Sequence, residues 1–216
     1  MFLKFMKIIK VFSNPRLCRM LLSMNYNGYL KEIGWIESFK MKMPVDKDLK
    51  PIPWMTFPFI DFISDRLSPD MEIFEYGSGN STLWFASKVK WVDAIEHDEK
   101  WFKIMKEKKP NNVNLYHIKL NYGGEYSMFP LTLNKKYHII IIDGRDRVNC
   151  IKNSIKCLKP EGIVVLDDSE RPQYLEGKRF LLNEGFRKID FWGISPGLFY
   201  KKCTTIFYTE NNCLGI

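Results

Sequence analysis

The stretch Met71-Glu72-Ile73-Phe74-Glu75-Tyr76-Gly77-Ser78-Gly79-Asn80-Ser81-Thr82 decides the reading of this chain. Residues 72–76 are rich in apolar and aromatic side chains, as a strand buried in a sheet is. Two glycines follow within three positions, and then Asn80, Ser81 and Thr82, whose short polar side chains suit a helix cap. A glycine turn between strand and helix lets the backbone approach a ligand closely and aims the first helical N–H groups at it. The helix is expected over 80–89. The third glycine of Gly-x-Gly-x-x-Gly is missing, and Thr82 stands in its place. That glycine serves close helix–strand packing in dinucleotide binders, so its absence argues against a pyrophosphate cofactor such as NAD.

Working outward, Glu96 closes a second predicted strand, 91–96, and lies 17 residues after Gly79. A carboxylate at that place can accept hydrogen bonds from both hydroxyls of a ribose. Further strands are predicted over 113–119, 137–143 and 163–166, alternating with helices over 98–109, 147–158 and 175–183. Residues 137–143 form a nearly unbroken apolar run, as in a parallel strand covered on both faces. Lys159-Pro160-Glu161-Gly162 reads as a stop before the fifth strand. This alternation implies right-handed βαβ crossovers and an α/β fold. The end differs: 187–192 and 203–209 are both strand-like, and the loop between them, with Ser195-Pro196-Gly197, holds no helix. Two such strands pair as an antiparallel hairpin.

Residues 75–82 resemble the first motif of the class I S-adenosylmethionine (SAM)-dependent methyltransferases, and Ala94-Ile95-Glu96-His97-Asp98 resembles their ribose-binding motif. The resemblance runs over 71–209. It implies a Rossmann-like, seven-stranded, mostly parallel sheet with a terminal antiparallel hairpin and helices on both faces, and SAM as cofactor. It would set Glu75 and Gly77 beside the methionine moiety and Glu96, with His97, at the ribose. Ser78, Gly79, Ser81 and Thr82 would complete the cofactor loop. Asn121 and Tyr122 would flank the adenine, and Asp143 and Gly144 would close the site from the fourth strand. The family often has an acidic residue in the loop of Asn121, and this chain departs from that pattern.

Ligands of open α/β sheets bind beyond the carboxyl ends of the strands. Two charged sequences fall there, Asp143-Gly144-Arg145-Asp146-Arg147 and Asp167-Asp168-Ser169-Glu170-Arg171. So many charges beyond buried strands are costly unless paired or bound to something. Asp143, Asp168 and Arg147 are the catalytic candidates, with Asp143 either orienting the cofactor or taking the acceptor's proton. Arg145 and Arg171 can grip an anionic group on a substrate, and Trp54, held in an extended segment by Pro51 and Pro53, is the leading acceptor-pocket aromatic. Phe57, Tyr122, Tyr126, Trp192, Phe199 and Tyr200 are the others. Asp143, Asp167 and Asp168 offer the oxygen ligands that Mg²⁺ takes, an arrangement that resembles the catechol O-methyltransferase type. The alternative is an Asp–Arg network that only shapes the loops. The Asn/Asp-Pro-Pro-Tyr/Phe motif of amino-group methyltransferases is missing, which tilts the expectation to O-methylation of a small molecule or glycan component. Aminopropyl transfer, NAD-dependent oxidation and cofactor binding without catalysis are the rival readings.

The 216 residues suit one α/β domain over 51–216 preceded by an extension over 1–50. The extension carries ten Lys/Arg against four Asp/Glu, while the rest is close to balance, so the net charge of +8 is an N-terminal property. A nucleic-acid enzyme places its positive charge around its active site; no nucleic-acid partner is expected. Five cysteines without a Cys-x-x-Cys pair fit a reducing, cytoplasmic setting, and Cys150 and Cys157 read as small core residues. Residues 13–40 read as helical and 43–54 as a linker draped over the domain, with a further helix over 57–67. The segment Met1–Phe12 is apolar with lysines at every third position, and residues 1–24 are the candidate for peripheral membrane contact. Two readings stand: a helix packed on the domain or on the second subunit of a homodimer, and a basic amphipathic helix at the inner, anionic membrane surface.

Overall fold

The computed structural model describes residues 12–216. Residues 1–11, the first part of the expected amphipathic helix, lie outside the described residues. The elements are α1 (Pro15–Ser23), α2 (Tyr29–Glu32), α3 (Trp35–Met41), α4 (Phe57–Ser64), β1 (Glu72–Tyr76), α5 (Asn80–Ala86), β2 (Trp91–Glu96), α6 (Glu99–Lys108), β3 (Val113–His117), α7 (Glu125–Thr132), β4 (Tyr137–Ile142), α8 (Arg147–Ser154), β5 (Leu158–Leu166), α9 (Leu175–Asn183), β6 (Arg187–Gly193) and β7 (Lys202–Tyr208).

One seven-stranded sheet runs in the order β3-β2-β1-β4-β5-β7-β6. The first five strands are mutually parallel, and β7 pairs antiparallel with both β5 and β6. The predicted terminal hairpin therefore forms, and β7 inserts between β5 and β6. Chain order reverses between β1 and β4, which opens a crevice at their carboxyl ends. Period-2 alternation divides the core: Ile73, Ile139, Ile141, Ile163 and Val165 face one layer with Phe59, Ile63 and Phe85. Phe74, Tyr76, Ile140, Ile142 and Leu166 face the other with Tyr126, Cys150 and Leu181.

The structure corrects the sequence reading at three places. The helix expected over 13–40 is three short helices, because Gly28 and Gly34 take positive φ values of 128° and 80°. An added Cβ at Gly34 would stand 2.4 Å from the Asp46 backbone, so the chain must bend there without a side chain. β5 begins at Leu158, and Lys159-Pro160-Glu161-Gly162 bulges out of the ladder between the pairs Tyr137–Leu158 and Ile139–Ile163. No helix was expected between β3 and β4, where Gly123-Gly124 and Pro130 mask α7. Ahead of β1, Trp35, Ile36, Ile52 and Met55 share the core with α4 and the sheet, and Ser38 Oγ donates to Val45 O at 2.6 Å.

Candidate active site

Gly77 follows β1 with φ of 93°, a left-handed conformation that favours glycine. A Cβ there would touch Gly144, and one on Gly144 would stand 2.1 Å from the Tyr126 hydroxyl. The two glycines thus let the loops after β1 and β4 meet and form the floor of the crevice. Above it lies a polar chamber of about 350 Å³, into which Glu75, Ser78, Ser81, Glu96 and His97 face from one side. Asp143, Arg145, Arg147, Asp168 and Arg171 face in from the other.

The carboxylates of the first side are held by hydroxyls and backbone N–H groups, and His97 Nδ1 lies 2.9 Å from Glu96 Oε1. Glu75, 1% exposed, accepts from the hydroxyls of Ser81 and Thr82. Burial pushes its pKa up to about 8 against the pull of these two hydrogen bonds. Thr82 also accepts from Gly79 N–H at 3.0 Å, so the residue that replaces the third glycine ties the turn to Glu75. Glu96 accepts from the backbone N–H groups of His97 (2.7 Å), Asp98 (2.9 Å) and Ser78 (3.2 Å) and from Ser78 Oγ (3.1 Å). Trp101, which the sequence reading passed over, donates from Nε1 to Ser78 O at 2.7 Å and steadies the same loop.

The second side is an ion-pair network. Arg147 donates to the carbonyls of Gly144 and Asp143 (3.0 Å each), to Asp143 Oδ1 (2.9 Å) and to Asp167 O. Lys202, 3% exposed at the start of β7, sits between Asp167 Oδ2 (2.6 Å) and Asp168 Oδ1 (2.8 Å). Arg171 closes on Asp168 Oδ2 at 2.8 Å. Burial raises Asp167 and Asp143 above the ordinary carboxylate range, with Lys202 chiefly opposing it at Asp167 and Arg147 at Asp143. At Asp168 burial acts the same way, but Lys202, Arg147 and Arg171 outweigh it and hold the group low. Lys202 in turn is raised: its own burial opposes the shift, and Asp167, Asp168 and Asp143 overcome it.

The aspartates considered for magnesium are instead paired with cationic side chains. An ammonium occupies the space between Asp167 and Asp168, a guanidinium holds Asp143, and no three His, Cys, Asp or Glu side chains among the described residues form a metal-holding group. Nothing in the run of residues 167–171 signals this, because the deciding cation arrives from β7. The only sequence hint is a lysine opening the otherwise apolar and hydroxylic run 202–208.

Two further chambers adjoin the first through Asp143. One, of about 400 Å³, is walled by Trp54, Trp101, Met43 and Pro44 beside Gly79 and Asn80. The other, of about 360 Å³, lies between Trp54, Tyr200, Leu198 and the Asp167–Asp168–Lys202 group. Asp143 lines all three. Trp54 is fixed by Nε1 donating to Pro196 O at 2.8 Å. Of the remaining sequence candidates, Thr82 is buried behind Glu75 and Asp167 behind Lys202. Tyr122 stands apart, lining a separate cleft with Arg145, Asp146 and Tyr174. Asn121 lines none of these chambers; its side chain leans on Gly124. Tyr126 is core: it is fully buried, and its hydroxyl lies 3.4 Å from Arg145 N.

No protein-family model and no curated protein matches the sequence. Solved structures do match the fold. A precorrin-6y C5,15-methyltransferase from Geobacter metallireducens superposes with a TM-score of 0.53 at 16% identity, over 69% of this chain and 86% of that one. A methyltransferase-like protein from Silicibacter pomeroyi gives 0.52 at 18% identity over 74% and 89%, and an rRNA methylase from Streptococcus thermophilus 0.50 at 14% over 71% and 97%. The chain has the Rossmann-like fold of class I methyltransferases.

Proposed function

We propose that the chain is a SAM-dependent methyltransferase that methylates a hydroxyl of a small molecule or glycan component. One observation carries the reading. At the reversal of the sheet, Glu75 and Glu96 face a chamber floored by two touching glycines, and neither carboxylate has a lysine or arginine beside it. The residues present fit SAM. A Cβ on Gly79 would meet nothing within 4 Å, so the backbone is bare towards a ligand. Carboxyl groups without a lysine or arginine partner suit a ligand that carries a sulfonium and an ammonium. A dinucleotide would bring a pyrophosphate against Glu75, Glu96 and Asp143, which disfavours the oxidoreductase reading.

In this assignment Glu96 holds the ribose hydroxyls and Glu75, with Ser81, faces the methionine end. SAM supplies an electrophilic methyl group; the transfer is an in-line displacement in which alignment and exclusion of water contribute most. Asp143 stands where the three chambers meet, with burial raising its pKa and Arg147 fixing its orientation, and so takes the hydroxyl proton of the acceptor. Asp168 is a poorer base, because three cations surround it. The chamber beside Trp54 and Tyr200 receives the acceptor, and Arg145 and Arg171 meet any anionic group on it. The reaction uses no metal at Asp143, Asp167 and Asp168, since Lys202 and Arg147 supply the counter-charge, and the same pairing leaves no free acidic pair for the polyamine of an aminopropyl transfer.

Calorimetric titration of the protein with SAM, S-adenosylhomocysteine and NAD tests the cofactor. Saturable binding of the first two is expected, and tight binding of NAD alone would overturn the reading. Transfer of radiolabelled methyl groups to pools of hydroxylated metabolites and sugar precursors tests the acceptor class; label appearing only on amines or RNA would refute O-methylation.

A further inference from the structure

The chamber between Trp54 and Tyr200 opens at a surface unlike the rest of the molecule. Phe199 is 72% exposed and caps an aromatic cluster with Trp35 (4.5 Å between ring centroids) and Phe39 (5.6 Å). Beside it, Lys201 Nζ lies 4.5 Å from the ring of the half-exposed Trp192. The rim is built on α3, and further towards the start of the chain α1 buries none of its residues. Leu17, Met20, Leu21 and Met24 follow the i, i+3, i+4, i+7 spacing of one helix face, and all four are exposed. Arg16, Arg19 and Ser23 fall on the other face. An apolar stripe left exposed among the described residues marks a contact surface.

Charge selects the partner. Residues 1–50 hold ten Lys/Arg against four Asp/Glu. A second copy would present the same cationic helix, whereas an anionic bilayer complements the charge of Arg16 and Arg19. Basic residues flanking an apolar helical face, together with exposed Phe, Trp and Tyr next to lysine, form the composition of an interfacial contact. No helix among the described residues is long and apolar enough to cross a membrane.

We propose that the chain docks on an anionic lipid surface through the apolar face of α1 together with the Phe39–Phe199–Tyr200 rim. The chamber beside Tyr200 then opens towards the lipid headgroups; its assignment to the acceptor rests on the methyltransferase reading, while the docking does not.

The test is co-sedimentation of the full chain with vesicles of phosphatidylcholine alone and of phosphatidylcholine mixed with phosphatidylglycerol, at low and high salt. Binding to the anionic vesicles is expected to be about tenfold stronger or more, and to weaken with salt. Leu17→Glu with Leu21→Glu should abolish it, and Phe199→Glu should weaken it several-fold, both with unchanged circular dichroism. Equal binding to both vesicle types, or undiminished binding by the α1 variant, overturns the proposal. So does a dimer in solution that the α1 variant dissociates while the parent chain ignores vesicles, which would give the stripe to a second copy. Unaltered binding by Phe199→Glu removes the rim from the contact. SAM titration is independent of all these arms, so failure here leaves the methyltransferase reading intact.

Discussion

The two sides of the crevice hold their carboxylates in opposite ways. At the ends of β1 and β2, Glu75 and Glu96 are held by hydroxyls and backbone N–H groups, with His97 Nδ1 also at 2.9 Å from Glu96, and no lysine or arginine among the described residues pairs with either. At the ends of β4 and β5, Asp143, Asp167 and Asp168 face Arg147, Lys202 and Arg171, so the charges balance. The first side leaves Glu75 to ionise when a cation binds beside it. The second is self-neutralised and rigid, suited to shaping a pocket for a neutral group. Acidic residues of similar appearance in the sequence thus do different work according to what completes them.

The comparison breaks first at Asp143. Asp143→Asn should keep the contact with Arg147 yet lower turnover about 10²- to 10⁴-fold with little change in SAM affinity, the range that loss of a general base produces. Steady-state methyl transfer checks this, and unchanged turnover would return Asp143 to a purely structural role. Next, Lys202→Met leaves Asp167 charged and buried without its partner. Loss of about 3–5 kcal/mol of stability is expected, a fall in Tm on the order of 10 °C for a chain of this length, read by thermal unfolding. Insensitivity would mean that the network is not what holds the β5–β7 end together.

On the other side, Glu96→Gln should weaken SAM about 100-fold in a calorimetric titration, as loss of charge-assisted hydrogen bonds to both ribose hydroxyls does. The pH behaviour of Glu75 is a smaller effect. Its pKa rises on folding from the ordinary carboxylate range to about 8, so the native state binds more protons than the unfolded state between those values. Stability of the ligand-free protein should fall as pH rises through that window, and Glu75→Gln should flatten the slope. A cation bound beside Glu75 favours its ionised form, so SAM affinity should increase towards pH 8; an affinity flat from pH 6 to 8 would place Glu75 outside the cofactor site. The smallest expected effect is none at all. EDTA should leave methyl transfer unchanged, and its abolition would show that a metal displaces Lys202 or Arg147 from the aspartates.

How far the sequence could be read follows the same division. The β1 and β2 boundaries, the glycine turn and Glu96 are local features: neighbouring residues carry both the strand and its loop, and the structure keeps them together. The hairpin was legible as well, because the run from 187 to 209 leaves no room for a crossover helix. α7 was hidden by Gly124 and Pro130, although Tyr126 from this helix underlies Gly144. The helix over 13–40 was overextended, because its apolar spacing continues across glycines whose left-handed conformations break it.

By itself, then, the sequence determined the α/β alternation, the carboxylates at the ends of β1 and β2 and the uneven distribution of basic charge, since each depends on the order and spacing of nearby residues. Only the tertiary structure decided what the aspartates after β4 and β5 do. Lys202 lies 35 residues from Asp167 along the chain, and it reaches Asp167 and Asp168 because β7 inserts beside β5. A buried charge is completed by whichever opposite charge the fold brings within reach, and nothing in the residues around that charge records which one it is.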